Sequence, residues 1–422
     1  MRGACGNMAK KQFKTVLFID IPDPDNFLMA HHILNSFSWP IAIVLSSRIV
    51  DFSVPRYEEN VYAEMKESIS IKTLITPIRD EIPDVEPQFK KWFYADSTLE
   101  DDEVLRDSKM YTKLSALRLM ESLQNRGVKR TDFKIFWHEE SFLKMPSPDM
   151  RHAFHVHDFK FNFNSEEMAK YRATQDNPER GNKLRTSLRE TCGQYIRRQE
   201  AELALDENDD ILTDLSALIT ANCQTEGAVL IIGGPLTEAW IYIKKTPEPS
   251  LVTMMNGTLK KTGNLFNDPF NTHKDKRAAK EFLECVVRES IPTQLVPTEC
   301  IRSMDSQSTC PFTLRLSECE TILGSNTLEY SMVEQWVEDT GKQRSYAPFD
   351  WITAVAASDP SIYSWIPVKL KTSSTTGDNG KTIVFSKTKK DTSLEIAQDD
   401  YKEMKIVKER LISSMKASFQ TI

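Results

Sequence analysis

Asp20, Asp23, Asp25 and Asn26 crowd one short stretch, DIPDPDN, near the start of the chain. Several oxygen donors on a proline-stiffened loop suit a hard divalent cation such as calcium, which takes about six to eight oxygen ligands. The same residues have a plainer use, since a short Asp at the head of a helix caps it and complements its dipole. A second group is His152, His155 and His157 in RHAFHVHDF. If this is a strand, alternation puts His155 and His157 on one face, as the start of a transition-metal site or as an ordinary polar surface. His31 and His32 follow the acidic loop, and at least one is expected to face the sheet edge.

Such groups need a frame to hold them. Residues 14 to 20 form an apolar run ending in the acidic cluster, FLMAHHILNSF has helical spacing, and PIAIVLSS reads as a buried strand. Strand, loop, helix and strand within about forty residues make a βαβ unit and predict a parallel sheet. Ligands bind such sheets in the crevice at the strands' C-terminal ends, where DIPDPDN falls. A helix is expected at Tyr57 to Ser68 and a short strand at TLIT.

The region 78–215 is rich in charge and aromatic residues and reads as an inserted, partly irregular elaboration or lid. It holds helix candidates at Lys113 to Asn125 and Glu190 to Ala204 and a strand at FKIFW. Regular patterning resumes with an amphipathic helix at Ile211 to Cys223 and the strands GAVLIIGGP, LVTMMNG and TQLVPT. Helices are expected at Lys276 to Arg288, Tyr330 to Thr340 and Phe349 to Ala357. The predicted division is a core of 14–370 and a C-terminal extension, 371–422. The extension holds a polar hairpin tip (KTSSTTGDNGKT), a returning strand (KTIVFSK) and a terminal helix from Gln398 to Phe419.

Composition narrows the classes. With 40% hydrophobic and 27% charged residues among 422, the chain is globular rather than disordered. A net charge of -7 gives no reason to expect nucleic-acid binding. No apolar run is long enough for a membrane span, and the first residues lack the apolar core of a secretory signal. Seven scattered cysteines without a CxxC pair fit reduced thiols, so a cytoplasmic protein is expected.

Four segments, in order, resemble the inosine-uridine preferring nucleoside hydrolase family. FIDIPDPDNFLMA stands where that family has DxDPGxDDxxAL after its first strand, and LIIGGPLTEAWIYIKKTPEPS follows the shape of its TGPLTNxA segment. MNGTLKKTGNLFNDPFNTHKDKRAAKEFL is similar to its MGG, GN and EFNxxxDPEAA series, and PFDWITAVAASDPS to its HDPxAVAxxxDPS. The likeness spans about residues 14 to 365, outside much of 78–215. It implies an α/β fold with a mainly parallel open sheet flanked by helices, a bound Ca²⁺, and homo-oligomers.

The resemblance also implies roles. Asp25, Asn26, Asp350 and the backbone carbonyl of Gly233 match the calcium ligands, and Asn264, Phe270 and Asn271 match residues on the sugar side. His155, in HVHDF, is similar to a histidine loop beside the nucleobase. Each has a bland alternative: Asn264 and Asn271 serve as turn residues and Asp350 as a helix N-cap. The acidic loop departs from the family pattern. It is one residue short, so Asn26 replaces a carboxylate, and either Pro22 or Asp23 falls on the catalytic base; we take Asp23. Without a gap, Phe27 would fall on a metal ligand. Phe349 stands for a histidine and Pro269 for a glutamate, with Asp268 one step away. Fewer carboxylates weaken a calcium site or abolish it.

The resemblance therefore implies an enzyme that cleaves the N-glycosidic bond of a ribonucleoside or related N-riboside with cation-activated water. The alternative is a catalytically silent relative that binds a small ligand or a protein.

Overall fold

The computed structural model describes residues 12–21, 23–46, 49–51, 101–138, 151–153, 180–203, 211–256, 271–272, 276–297, 300, 313–339, 345–373, 382–388, 392–397 and 404–420. In chain order these form β1 (Thr15–Ile19), α1 (Pro24–Ser36), β2 (Ile41–Leu45), β3 (Ile49–Asp51), α2 (Asp101–Asn125), β4 (Phe133–Trp137), β5 (Arg151–Ala153) and α3 (Arg180–Glu202). There follow β6 (Thr213–Asp214), α4 (Leu215–Asn222), β7 (Val229–Ile232), α5 (Thr237–Ile243), β8 (Leu251–Met255), α6 (Lys276–Arg288) and β9 (Thr293–Val296). The remainder is β10 (Leu314–Arg315), α7 (Leu316–Leu323), α8 (Leu328–Asp339), β11 (Ser345–Tyr346), α9 (Phe349–Ser358), β12 (Trp365–Ser373), β13 (Thr382–Lys387), β14 (Leu394–Ala397) and α10 (Met404–Gln420).

Ten strands make the main sheet in the order β13-β12-β14-β9-β8-β7-β1-β2-β4-β6. Neighbours from β14 to β6 pair in parallel, while β12 runs antiparallel to both β14 and β13. This is the expected α/β fold. β1 and β2 read TVLFI and IAIVL, apolar without alternation, because both faces of a parallel sheet are covered. Leu17 and Ile19 meet the cluster containing α1 and α2, whereas Val16 and Phe18 meet that of α5 and α6. A third cluster gathers α7, α8, α9 and α10 around Trp351.

β1 lies between β2 and β7, so the chain order turns at this strand and leaves a crevice at its C-terminal end. Within residues 78–215, β4 and β6 extend the parallel edge, and α2 and α3 pack together against the α1 face. Beyond residue 370, β13 pairs with β12 from Val368↔Lys387 to Ser373↔Thr382, the two arms of the expected hairpin. β14 inserts between β12 and β9, and α10 joins the third cluster.

Some bounds differ from the sequence expectation. The helix expected at Ile211 to Cys223 begins only at Leu215, because Asp214 caps it, accepting from Ser216 N at 2.8 Å, and the residues before it form β6. α2 starts at Asp101 rather than Lys113. Its first half hides its periodicity because Asp107 and Ser108 are buried, Asp107 bound to Arg189 Nε at 2.6 Å. The helix expected at Tyr57 to Ser68, the TLIT strand and the hairpin tip lie outside the described residues. So do Pro22, His155, His157, Asn264 and Phe270.

Candidate functional site

The acidic loop leaves β1 at the strand-end crevice with Asp20 buried beneath it. Asp23 stands at the N-cap of α1 and Pro24 follows at the first helical position, where its missing N–H costs nothing. Asp23 does not cap the helix through its side chain, and it stays half-buried. Asp25 and Asn26 lie in the first turn, turned inward and buried.

Asp350 enters the same place from α9. It is not an N-cap: Pro348 holds that position, and Asp350 is the second residue of the helix. Its backbone N–H, which has no acceptor within the helix, donates to Asp25 Oδ2 at 3.1 Å. Asn26 lies between two acids, Nδ2 donating to Asp20 Oδ1 at 2.9 Å and to Asp350 Oδ2 at 3.2 Å.

β7 contributes Gly233, whose N–H bonds Phe18 O at 2.8 Å. A Cβ on Gly233 would lie 2.6 Å from Met29 Sδ, 2.9 Å from Asn26 Oδ1 and 3.0 Å from Asp350 Cγ. The neighbouring Gly234 is tight too, its Cβ position lying 2.8 Å from Ser46 Oγ and 3.1 Å from Asp20 N. Glycine is thus required by close approach rather than by backbone angle. Gly233→Ala is expected to cost about 1–3 kcal/mol through overpacking, read as a lower melting temperature, and to displace Asn26 and Asp350 together. An unchanged melting temperature would contradict this packing.

Asn271 is buried and donates from Nδ2 to Gly233 O at 2.8 Å, so it orients that carbonyl. Beside it Thr272 Oγ1 donates to Asn256 Oδ1 at 2.6 Å. Asp25, Asn26, Gly233, Asn271 and Asp350 therefore meet at one strand-end crevice. Ser46, at the end of β2, was not singled out from the sequence, although the strand-end rule would have included it.

Electrostatics make this pocket unusual. Burial, and then the charge of Asp20, push the Asp25 carboxyl up to about 6 against the hydrogen bond from Asp350. Burial, then Asp25, Asp20 and Asp23, push Asp350 well above the usual carboxylate range. The groups that act most strongly on either acid are other acids of the same cluster. Asp25 Oδ1, Asn26 Oδ1 and Asp350 Oδ1 are buried with no hydrogen-bond partner among the described residues.

The donor chemistry fits a hard cation: carboxylate, amide and carbonyl oxygens gathered out of water. Among the described residues no group of three or more His, Cys, Asp or Glu is placed to hold a metal ion. The set that fits has two carboxylates, Asp25 and Asp350, completed by Asn26 and the Gly233 carbonyl. Among the described residues no helix is long and apolar enough to cross a membrane.

No family model matches the sequence, and no curated protein matches it. Among solved structures, a plant nucleoside hydrolase is 12% identical, with a TM-score of 0.53 over 98% of this chain and 100% of that one. The inosine-uridine preferring nucleoside hydrolase of Bacillus anthracis is 12% identical, with a TM-score of 0.50 over 97% of this chain and 100% of that one. At such identities the likeness is one of fold. The chain has the nucleoside hydrolase-like fold.

Proposed function

We propose that this protein is an N-ribosyl hydrolase that cleaves a ribonucleoside or related N-riboside with water. The observation that carries this reading is the set of three buried, unpartnered oxygens on Asp25, Asn26 and Asp350 at the strand-end crevice. The fold and the order of the sequence segments support it. Asp25, Asn26, Asp350 and the Gly233 carbonyl would hold a calcium ion. When bound, the ion supplies a water of lowered pKa and a grip on the ribose hydroxyls.

Asp23 is assigned as the general base. It stands at the rim of the pocket, half-buried, beside the ligand residues, where a carboxylate can take a proton from the attacking water. Asp20 holds Asn26, and Asn271 holds the Gly233 carbonyl in place. Asn264, Phe270 and His155 are assigned to the sugar and base by motif alone. The ligand is a small molecule, and homo-oligomerisation and a cytoplasmic setting belong to the same proposal.

One observation favours the second reading, a silent binding relative. The Asn26 amide already bridges Asp20 and Asp350, a task a cation would otherwise perform. Nucleosidase assays with calcium and with chelator test the first reading, and elemental analysis of the purified protein tests its metal.

The raised carboxyls make a further prediction. A group pushed up keeps its proton until the pH exceeds its folded value, so Asp25 is protonated below about 6, and burial among other acids pushes Asp350 in the same direction. Calcium must displace those protons, so its affinity is expected to fall as pH drops through 6. Titration calorimetry at about pH 5.5 in buffers of different ionisation enthalpy should show proton release. An affinity flat between pH 5 and 8 would contradict the assignment of these two acids.

A further inference from the structure

His31 and His32 are both buried in α1, outside the acid pocket, and their partners differ in kind. His31 Nε2 lies 2.6 Å from Ser122 Oγ and 3.3 Å from Glu329 Oε1, and Arg126 holds the other carboxylate oxygen at 3.1 Å. That cluster ties α1 to α2 and α8, which carry none of the pocket residues named above. His32 is bound to a helix that does. Its Nε2 lies 2.8 Å from Ser358 Oγ at the last residue of α9, and its Nδ1 lies 2.6 Å from Ser418 Oγ in α10.

Asp25 and His32 are separated by about two turns and so share a face of α1. Asp350 and Ser358 stand near the first and last residues of α9. The two helices thus lie side by side, pointing the same way, and are joined twice. At their heads Asp350 N donates to Asp25 Oδ2, and at their tails His32 meets Ser358. α10 backs the second joint, because Asn35 Nδ2 also donates to Ser418 O at 2.5 Å.

We propose that His32 is a positioning residue for the acid pocket: by fastening the tails of α1 and α9 against α10, it sets the spacing of Asp25 and Asp350 at their heads. The consequence for calcium rests on the functional reading above, whereas the geometric consequence does not. Burial brings the His32 pKa down to about 4, so at neutral pH the ring is uncharged, with one N–H and one lone pair. One serine therefore accepts from the ring and the other donates to it. Ser358 and Ser418 each also have a carbonyl of their own helix within reach, Val355 O at 3.0 Å and Ser414 O at 3.1 Å. Removing the ring therefore leaves neither hydroxyl without an acceptor, and a leucine fills much of its volume.

The test compares His32→Leu and His32→Gln with the parent protein in two measurements. The first is hydrogen exchange of the Asp350 amide in calcium-free protein, since that N–H finds its acceptor in Asp25 Oδ2. The second is calorimetric calcium affinity. In folded His32→Leu, exchange at Asp350 is expected to rise about fivefold to tenfold, the loss of roughly one net hydrogen bond, and calcium affinity to fall by a similar factor. His32→Gln, with an amide donor and acceptor, should recover most of both.

Asn222→Ala is the stability control. It removes hydrogen bonds to Phe13 O and Tyr242 Oη on the other face of the sheet, and should lower stability with Asp350 exchange unchanged. Unchanged Asp350 exchange in folded His32→Leu, or an equal rise in Asn222→Ala, would overturn the proposal. If His32→Leu does not fold, Ser358→Ala and Ser418→Ala are read in the same way. A parent protein that binds no calcium sinks the cation reading, while the exchange arm still decides the role of His32.

Discussion

Asp350→Ala is expected to abolish calcium retention and nucleoside cleavage together, with affinity falling on the order of 100-fold or more, while the fold survives. The loss is large because Asp350 is one of only two carboxylates in the proposed ligand set. The fold survives for reasons visible in its contacts. The bond to Asp25 runs from the Asp350 backbone, so alanine keeps it. Asn26 loses one acceptor but keeps Asp20 Oδ1. The carboxyl itself is buried among other acids, which raises its pKa and makes it a burden in the cation-free protein. Melting in chelator should therefore be no lower for the variant than for the parent. Turnover that persists in Asp350→Ala would sink the mechanism, and collapse of the fold would contradict this account of its contacts.

Asn26→Asp carries the second large effect, and its sign depends on the cation. In chelator the new oxygen faces Asp20 Oδ1 and Asp350 Oδ2 where the amide had donated to both. Removing that donor and adding a buried charge is expected to destabilise the protein by about 3 kcal/mol. With calcium present the added charge becomes a ligand, so affinity should tighten about tenfold or more and stability should return. Calcium titration and paired melts on both proteins read this directly. If binding tightens and neither protein cleaves a nucleoside, the silent-binding reading is the correct one. If binding does not change, Asn26 does not face the cation and leaves the ligand set.

The frame was legible in the sequence wherever burial imposed a simple pattern. TVLFI, IAIVL and LVTMM are apolar on both faces and read as buried strands, and the amphipathic Lys276–Arg288 was read at its observed bounds. Two kinds of element were hidden. The first half of α2 buries polar residues such as Asp107, held by a half-buried Arg189 of α3, which breaks the apolar period that marks a helix. β6, with two residues, is too short to show any period, and β14, LEIA, carries a glutamate in its middle and sits in a charged stretch.

The site was legible to the extent that its residues stand at strand and helix ends. The order of acidic loop, GGP turn, Asn271 and late aspartate pointed to residues that the fold brings together at β1 and β7. What joins them was not legible. The Asn26 bridge from Asp20 to Asp350 and the His32 joint from Ser358 to Ser418 link residues far apart in the chain. Sequence marked Asn26 as a missing charge, and only the geometry reveals its amide as a donor between two acids. His31 and His32 looked alike in sequence, yet one belongs to a charge cluster and the other fastens the helices that carry the acids.

The measurement that tests the central claim most directly is the release of free base from ribonucleosides by the purified protein, with calcium and again after chelation. The account predicts base and ribose in equal amounts with calcium, cessation on chelation, and recovery when calcium is restored. Cleavage that continues unchanged in chelator, or no cleavage of any ribonucleoside with calcium present, would contradict it.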